Sequence, residues 1–286
     1  MTATRARRSL HGELPRGGSA ADSAAAGGTA ANLSAFEGDP NFVLSLARGL
    51  KVIESFDGRK EGVTVADAAR HTGLSRAAVR RLLITLEILG YAECRGRLYR
   101  LRSRVLSLGF SFISSTSLVA AAQPILDHIT ETIHESSSMS VLDGNDIVYV
   151  ARSSVHRVMS VDLSVGSRLP AYCTSMGRVL LAGLADPEIA VFLDRIRPKA
   201  YTPRTVTSKP KLREIILRVR RQGYAVVDEE LEPGLKSMAV PILNRQGRTV
   251  AAINIGAPAL RVRRSEAERF LAMLHEAAQT LLPAAN

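Results

Sequence analysis

The chain has 286 residues, of which 46% are hydrophobic and 23% charged, and its formal net charge is +11. This length suits two domains of ordinary size. The surplus of Lys and Arg is compatible with binding to a polyanion, but a soluble basic protein without such a partner has a similar composition. No apolar run is long enough to span a bilayer, no apolar core follows the N-terminal arginines, and the two cysteines show no pairing pattern, so we expect a cytoplasmic protein with reduced thiols and no membrane partner.

Residues 1–40 are rich in Ala, Gly, Ser and Arg and show no apolar period. Such a segment buries too little surface to offset its ordering entropy, so we predict a disordered tail. The first helix follows it, because Leu46, Leu50, Ile53 and Phe56 recur at helical spacing.

Residues 41–104 carry the signals of a winged helix-turn-helix. Thr64 is placed to cap a short helix, Gly73 supplies a sharp turn, and Ser75 is placed to cap a second helix. The apolar face of that second helix comprises Val79, Leu82, Leu83, Leu86 and Leu89. Two short strands then flank Arg95-Gly96-Arg97 and predict a β-hairpin, the wing.

The helix that begins at Ser75 has the features of a recognition helix. Arg76 and Arg80 are four residues apart, so they share a face, and the apolar stripe lies on another face. Solvated surface arginines are the alternative, but the preceding Gly turn and the following Arg-Gly-Arg hairpin favour DNA binding. The predicted DNA-binding residues are Thr64, Ser75, Arg76, Ala77, Arg80, Arg81, Arg95 and Arg97, with Arg102 and Arg104 as further backbone contacts.

The rest of the chain predicts a linker helix at 105–118 and an α+β domain at 119–286. Asp143-Gly144-Asn145-Asp146 is a strong hairpin signal. Strands are predicted at 138–142, 147–151, 158–163, 224–229, 236–243 and 249–255, and helices at 118–135, 174–184, 187–196, 210–222 and 265–282. Hairpins at both ends with helices between them indicate a mainly antiparallel sheet covered by helices.

Three segments resemble the IclR family of bacterial regulators: Gly73 to Leu83 with Leu89-Gly90-Tyr91, Leu169 to Ala182, and Asp228-Glu229-Glu230 with Gly234 to Pro241. The arginine-rich recognition helix and the run Tyr172 to Arg178 are most similar to the PcaR/PcaU/PobR branch, which regulates aromatic-acid breakdown in the β-ketoadipate pathway. The resemblance implies a winged helix, a linker helix and a GAF-like effector domain. It also implies operator DNA as partner and a homodimer, often paired into a homotetramer.

The resemblance places an effector pocket between the sheet and the helix that begins near Ser175. The family's pocket positions map to Val158, Leu169, Ser175, Met176, Asp228, Ser237, Asn254 and Gly256. Ser237 stands where family members that sense small oxo-acids have a Cys. From the residues themselves, backbone N–H groups at the start of that helix are candidates to hold a carboxylate, with Arg152, Arg168 or Arg178 as the cation; each of these also has an ordinary structural explanation.

We therefore expect a sequence-specific DNA-binding regulator that responds to a small organic or aromatic acid, and no cofactor or metal. A thiol enzyme using Cys173 and His156 is the main competitor, but Cys173 lies in an apolar run without an orienting acid. The residues also leave open a regulator of another carbon-source pathway and a DNA-binding protein without a ligand.

Overall fold

The computed structural model describes residues 36, 38–56, 61–109, 117–155 and 163–285. The predicted tail therefore lies outside the described residues except for its last few positions. The predicted strand at 158–163 also lies outside them apart from Leu163, which is not in a strand, and so does the predicted pocket residue Val158.

The N-terminal unit is a three-helix arrangement with a small hairpin. Its elements are α1 (Leu44–Glu54), α2 (Val65–Thr72), α3 (Arg76–Ile88), β1 (Ala92–Arg95) and β2 (Leu98–Leu101). Its core is formed by Val52, Val63, Ala68, Val79, Leu83, Leu86, Ala92 and Tyr99. Most of the predicted apolar face of α3 is thus buried, but Leu89 is 49% exposed because it is the C-cap residue, where the chain leaves the helix.

The C-terminal unit contains a longer series of helices and strands. They are α4 (Ser117–Ile133), β3 (Ser136–Asp143), β4 (Asp146–Ser153), β5 (Arg168–Pro170), α5 (Ser175–Ala182), α6 (Asp186–Arg195), α7 (Lys209–Gln222), β6 (Ala225–Asp228), β7 (Leu235–Leu243), β8 (Thr249–Pro258) and α8 (Arg264–Leu281). Strand β5 is not among the predicted elements, because three residues are too few to show an alternating pattern.

One antiparallel sheet of six strands, in the order β5-β4-β3-β8-β7-β6, organises this unit. Helices α4 and α8 pack on one face through residues such as Leu126 and Leu274, which share a core with Met139 and Ile253. Helices α5, α6 and α7 cover the other face and share a second core with Ala239 and Ala252. The predicted α+β class, with an antiparallel sheet covered by helices, is confirmed.

The segment between the two units begins with a 3-10 turn at Ser103–Val105, and residues 106–109 are helical. Residues 110–116, the middle of the predicted linker helix, lie outside the described residues. Within the part of the chain that the structure describes, no helix is both long and apolar enough to cross a bilayer.

Candidate DNA-binding and effector sites

The exposed N-terminal edge of α3 is the centre of the candidate DNA-binding surface. Arg76, Ala77, Arg80 and Arg81 are exposed, whereas Val79 and Leu83 of the same helix are completely buried. Within the described residues, none of the three arginines forms an ion pair with an acid. Their charge is therefore available to a polyanion, while the buried stripe fixes the orientation of the helix.

Local hydrogen bonds set the angle at which α3 leaves its turn. The hydroxyl of Thr64 accepts from the Asp67 N–H at 3.1 Å and donates to Asp67 Oδ2 at 2.6 Å, which lowers the pKa of that carboxyl. Gly73 ends α2 with φ +71°, a left-handed conformation that favours glycine. Ser75 then caps α3 by accepting from the Ala78 N–H at 3.2 Å.

These contacts change the interpretation of one predicted residue. Because the hydroxyl of Thr64 both donates and accepts within the capping box of α2, the structure assigns Thr64 to positioning this helix rather than to DNA. Ser75 is exposed despite its capping bond, so it remains on the DNA-facing edge.

The wing is a two-residue hairpin loop, Gly96-Arg97, between paired Arg95 and Leu98. Gly96 has φ +67°, as the primed hairpin turns require. The two predicted wing arginines differ in charge environment: Arg95 pairs with Glu93 at 2.9 Å, whereas Arg97 is exposed and forms no ion pair among the described residues. Arg97 is therefore the stronger phosphate candidate.

Arg104 lies 5.2 Å from the centroid of the Tyr91 ring, which holds the start of the linker segment against the wing.

The candidate effector site lies on the α5 face of the sheet. The Ser140 hydroxyl lies 3.2 Å from the Met176 sulfur, so the first turn of α5 sits directly over β3. Ser175 and Met176 are both buried. Ser237, Asn254 and Gly256 belong to the central strands β7 and β8 and lie on this same face, because Ala239 and Ala252, two residues along these strands, pack beneath α5.

Two predicted pocket residues are not part of this group. Asp228 is paired in register with Lys236, and both side chains project to the opposite face from Ser237, so the predicted place of Asp228 in the pocket is wrong. Leu169 lies on the edge strand β5 and pairs with Ile147, which pairs with Leu142 of β3. Asn254 pairs with Ser138 of the same strand, four residues away. At about 3.3 Å per residue, Leu169 and Asn254 are therefore separated by about 13 Å along the strand direction.

Each of the three candidate cations has a partner within the protein. Arg178 is 3% exposed and holds Glu230 in a bidentate ion pair at 2.6 and 2.7 Å, and its Nε donates to the Tyr172 carbonyl at 3.0 Å. Arg168 pairs with Asp143 at 2.6 Å at the end of the β3–β4 hairpin. Arg152 of β4 is the candidate that lies on the α5 face, where its Nη1 donates to the Ser138 hydroxyl at 3.2 Å.

The start of α5 does not offer an open anion site. The Thr174 hydroxyl caps the helix by accepting from the Gly177 N–H at 3.2 Å. A Cβ at Gly177 would lie 2.2 Å from the Ala171 carbonyl oxygen, so the preceding 3-10 turn already packs against the helix end. The proposed role of these backbone N–H groups in holding a carboxylate is therefore not supported.

Cys173 lies in the same turn and is completely buried. Burial raises the pKa of its thiol to about 12, so it is protonated at neutral pH and is a poor nucleophile. The other half of the thiol-enzyme hypothesis, His156, lies outside the described residues. Among the residues that are described, no three His, Cys, Asp or Glu side chains cluster closely enough to hold a metal ion.

Sequence comparison places both units among known regulators. Residues 45–96 match the model of the IclR helix-turn-helix domain, and residues 110–282 match that of the bacterial transcriptional regulator IclR C-terminal domain. The chain is 51% identical over 254 residues to the Pca regulon regulatory protein of Pseudomonas putida, covering 88% of this chain and 87% of that protein. It is 37% identical over 220 residues to the p-hydroxybenzoate hydroxylase transcriptional activator of Acinetobacter baylyi, covering 75% and 81%.

The fold matches solved structures as well. An IclR homolog from Microbacterium hydrocarbonoxydans, crystallised with 4-hydroxybenzoate, superimposes with a TM-score of 0.75 at 26% identity and covers 84% of this chain and 98% of its own. The relatives are transcription regulators, which confirms the predicted function class and the expectation that the chain is not an enzyme.

Proposed function

The chain belongs to the IclR family of bacterial transcriptional regulators, and we propose that it reads its operator with the exposed edge of α3 as a cytoplasmic homodimer whose DNA binding responds to a small aromatic acid. The observation that carries the DNA-binding mode is the arrangement of α3, whose Arg76 and Arg80 are exposed while Val79 and Leu83 anchor the same helix in the core. This geometry suits a helix inserted into the major groove.

The arginines have different expected roles. Arg76 and Arg80 are placed to contact base edges, where a bidentate arginine–guanine contact contributes about 1–3 kcal/mol of discrimination. Arg97 at the wing tip is placed to contact phosphate, which positions the protein without reading sequence.

Titrations of a specific and a random duplex at several salt concentrations test this division. We expect Arg80→Ala to lower specific binding about 5- to 100-fold with little effect on the random duplex. Arg97→Ala should weaken both and reduce the salt slope by about one. Arg213→Ala, an exposed arginine on α7 of the C-terminal unit, is the matched control. Equal losses on both duplexes for Arg80→Ala would remove its base-reading role.

The dimer surface that we propose comprises exposed apolar residues of α1 and its N-cap and others just after the wing. Val43 and Leu46 are each 61% exposed, Leu50 is 49%, Leu106 is 71% and Leu108 is 53% exposed. Large exposed apolar side chains are typical of an interface. Sedimentation of Leu46→Glu and Leu106→Glu should show a smaller species, whereas Leu260→Glu, at a 98% exposed site of the C-terminal unit, should not.

We propose that the effector is an aromatic acid bound between the sheet and α5, and that the regulated genes belong to aromatic-acid breakdown. The P. putida relative is named for the Pca regulon, and the M. hydrocarbonoxydans homolog binds 4-hydroxybenzoate, which supports this class of ligand. Calorimetry with 4-hydroxybenzoate, protocatechuate and β-ketoadipate tests it. Binding of none of them would favour a regulator of another carbon source or one without a ligand.

A further inference from the structure

The end of the recognition helix is rigidly joined to the residues that follow it. Gly90 has φ +78°, and its N–H donates to the Glu87 carbonyl at 2.9 Å. The Tyr91 N–H donates to the Leu86 carbonyl at 2.8 Å. These two bonds form a Schellman motif, and Leu86 belongs to the core of the DNA-binding unit. Tyr91 is therefore fixed to the helix that carries the candidate base-reading arginines.

The start of the linker segment is fastened to the same tyrosine by two contacts. The Arg102 N–H donates to the Tyr91 carbonyl at 2.8 Å. The Arg104 guanidinium carbon lies 5.2 Å from the centroid of the Tyr91 ring. Its Nη1 lies 3.4 Å from the position that a Cβ on Gly90 would take, so the cation covers the end of α3. The Arg104 carbonyl in turn accepts from the Ser107 hydroxyl at 2.7 Å, which continues the turn.

This segment also carries part of the proposed dimer surface. Leu106 and Leu108 are 71% and 53% exposed, and they follow Arg104 by two and four residues. The contacts at Tyr91 thus join the recognition helix to the surface that pairs two copies. A dimer reads two half-sites whose separation matches the distance and angle between its two recognition helices. A contact that fixes α3 relative to the dimer surface therefore also fixes the spacing of the half-sites.

We propose that Arg104, held on the Tyr91 ring, is a positioning residue that sets the half-site spacing this protein accepts. It acts through the linker segment and not by binding phosphate, the role that its charge alone suggests. A foreign spacing demands a different angle between α3 and the linker segment, so binding there breaks the contact. A cation–π contact at an exposed site changes an equilibrium constant about two- to fivefold, and the penalty against such operators contains that factor. The inference rests on the proposed function, because it needs a homodimer that reads two half-sites with α3.

The experiment first varies the DNA. A duplex with two half-sites, selected from a random pool by the full wild-type chain, is compared with duplexes in which two base pairs are added or removed between the half-sites. This change moves the half-sites by about 7 Å and rotates them by about 70° about the duplex axis. The spacing penalty is the ratio of the Kd for an altered duplex to the Kd for the selected duplex. We expect a penalty of about tenfold or more for the wild-type chain, because both half-sites can no longer be engaged without distortion.

Variants then separate the contact from the charge. Arg104→Ala and Tyr91→Leu should each lower the spacing penalty about two- to fivefold, although Tyr91→Leu leaves the Arg104 charge in place. Tyr91→Phe keeps the ring face and should keep the wild-type penalty. Arg102→Ala removes an equal charge two residues away and should also keep it, since a lost phosphate contact weakens all duplexes alike. Thermal unfolding of each variant shows whether it is folded.

The outcomes distinguish this inference from the proposed function. Unchanged spacing penalties in both Arg104→Ala and Tyr91→Leu overturn the inference and leave the proposed function standing. A salt slope that falls by about one for Arg104→Ala on a duplex with a single half-site also overturns it, because Arg104 is then a phosphate contact. If the wild-type chain binds every spacing equally well, the reading of two half-sites by a dimer fails, and the inference fails with it.

Discussion

Replacing Arg178 by Met tests how firmly α5 is held over the sheet. The guanidinium is 3% exposed and the Glu230 side chain is 10% exposed, and the two are joined by hydrogen bonds of 2.6 and 2.7 Å. Glu230 comes from the loop after β6 and also accepts from the Val206 N–H at 3.0 Å. One buried ion pair therefore ties α5 to two loops that are distant in sequence.

The magnitude follows from what the substitution leaves behind. Arg178→Met keeps most of the side-chain volume but leaves the Glu230 carboxylate buried without its cation, which costs about 3–5 kcal/mol. For a domain of roughly 170 residues this corresponds to a fall in melting temperature of about 10 °C. Replacing both residues by Met should recover much of the loss, because no uncompensated charge then remains.

Urea denaturation followed by circular dichroism measures these changes. The control is Arg168→Met, which breaks an exposed pair with Asp143 and should cost less than about 1 kcal/mol. If Arg178→Met is no more destabilising than this control, the pair does not hold α5 and the reasoning from burial is refuted.

Three further variants test contacts at the start of α5 and at the cap of α2. Gly177→Ala places a Cβ 2.2 Å from the Ala171 carbonyl oxygen, so we expect a loss of about 1–3 kcal/mol in urea titrations, whereas Gly256→Ala, with ordinary room for a Cβ, should be tolerated. Burial raises the pKa of Cys173 to about 12, so the folded chain keeps this thiol protonated where the unfolded chain ionises near 9. Stability from this thiol is complete below pH 9 and falls as pH rises towards 12; Cys173→Ala should flatten that decline, and an unchanged alkaline profile would contradict it. Thr64→Ala removes the cap of α2 and should cost about 1 kcal/mol while leaving the salt slope of DNA binding unchanged; a smaller slope would instead restore Thr64 as a DNA contact.

Local signals in the sequence were sufficient for the DNA-binding unit. The caps at Thr64 and Ser75, the left-handed turn at Gly73 and the wing at Gly96 each depend on a few neighbouring residues. Short-range hydrogen bonds and backbone preferences decide such features, so the sequence shows them directly.

The candidate effector site depends on contacts between residues that are far apart in the chain. Arg178 and Glu230 are separated by 52 positions, and nothing near either residue indicates the pairing. Ser138 lies beside Arg152 and Asn254 only through the registers of β3 with β4 and with β8, so the sequence alone did not single out Ser138. Adjacent residues of a strand project to opposite faces of the sheet. Asp228 therefore lies on the face opposite Ser237, whereas its neighbour Val227 lies on the same face as Ser237.

The lengths of the strands have a consequence for the behaviour of this protein at high concentration. The central strands β7 and β8 have nine and ten residues, whereas the edge strands β5 and β6 have only three and four. Unpaired peptide groups at a sheet border are the template on which further chains add during aggregation, and short borders offer few of them. Each edge strand therefore offers only a few main-chain groups to another chain, which disfavours amyloid-like growth from the native state.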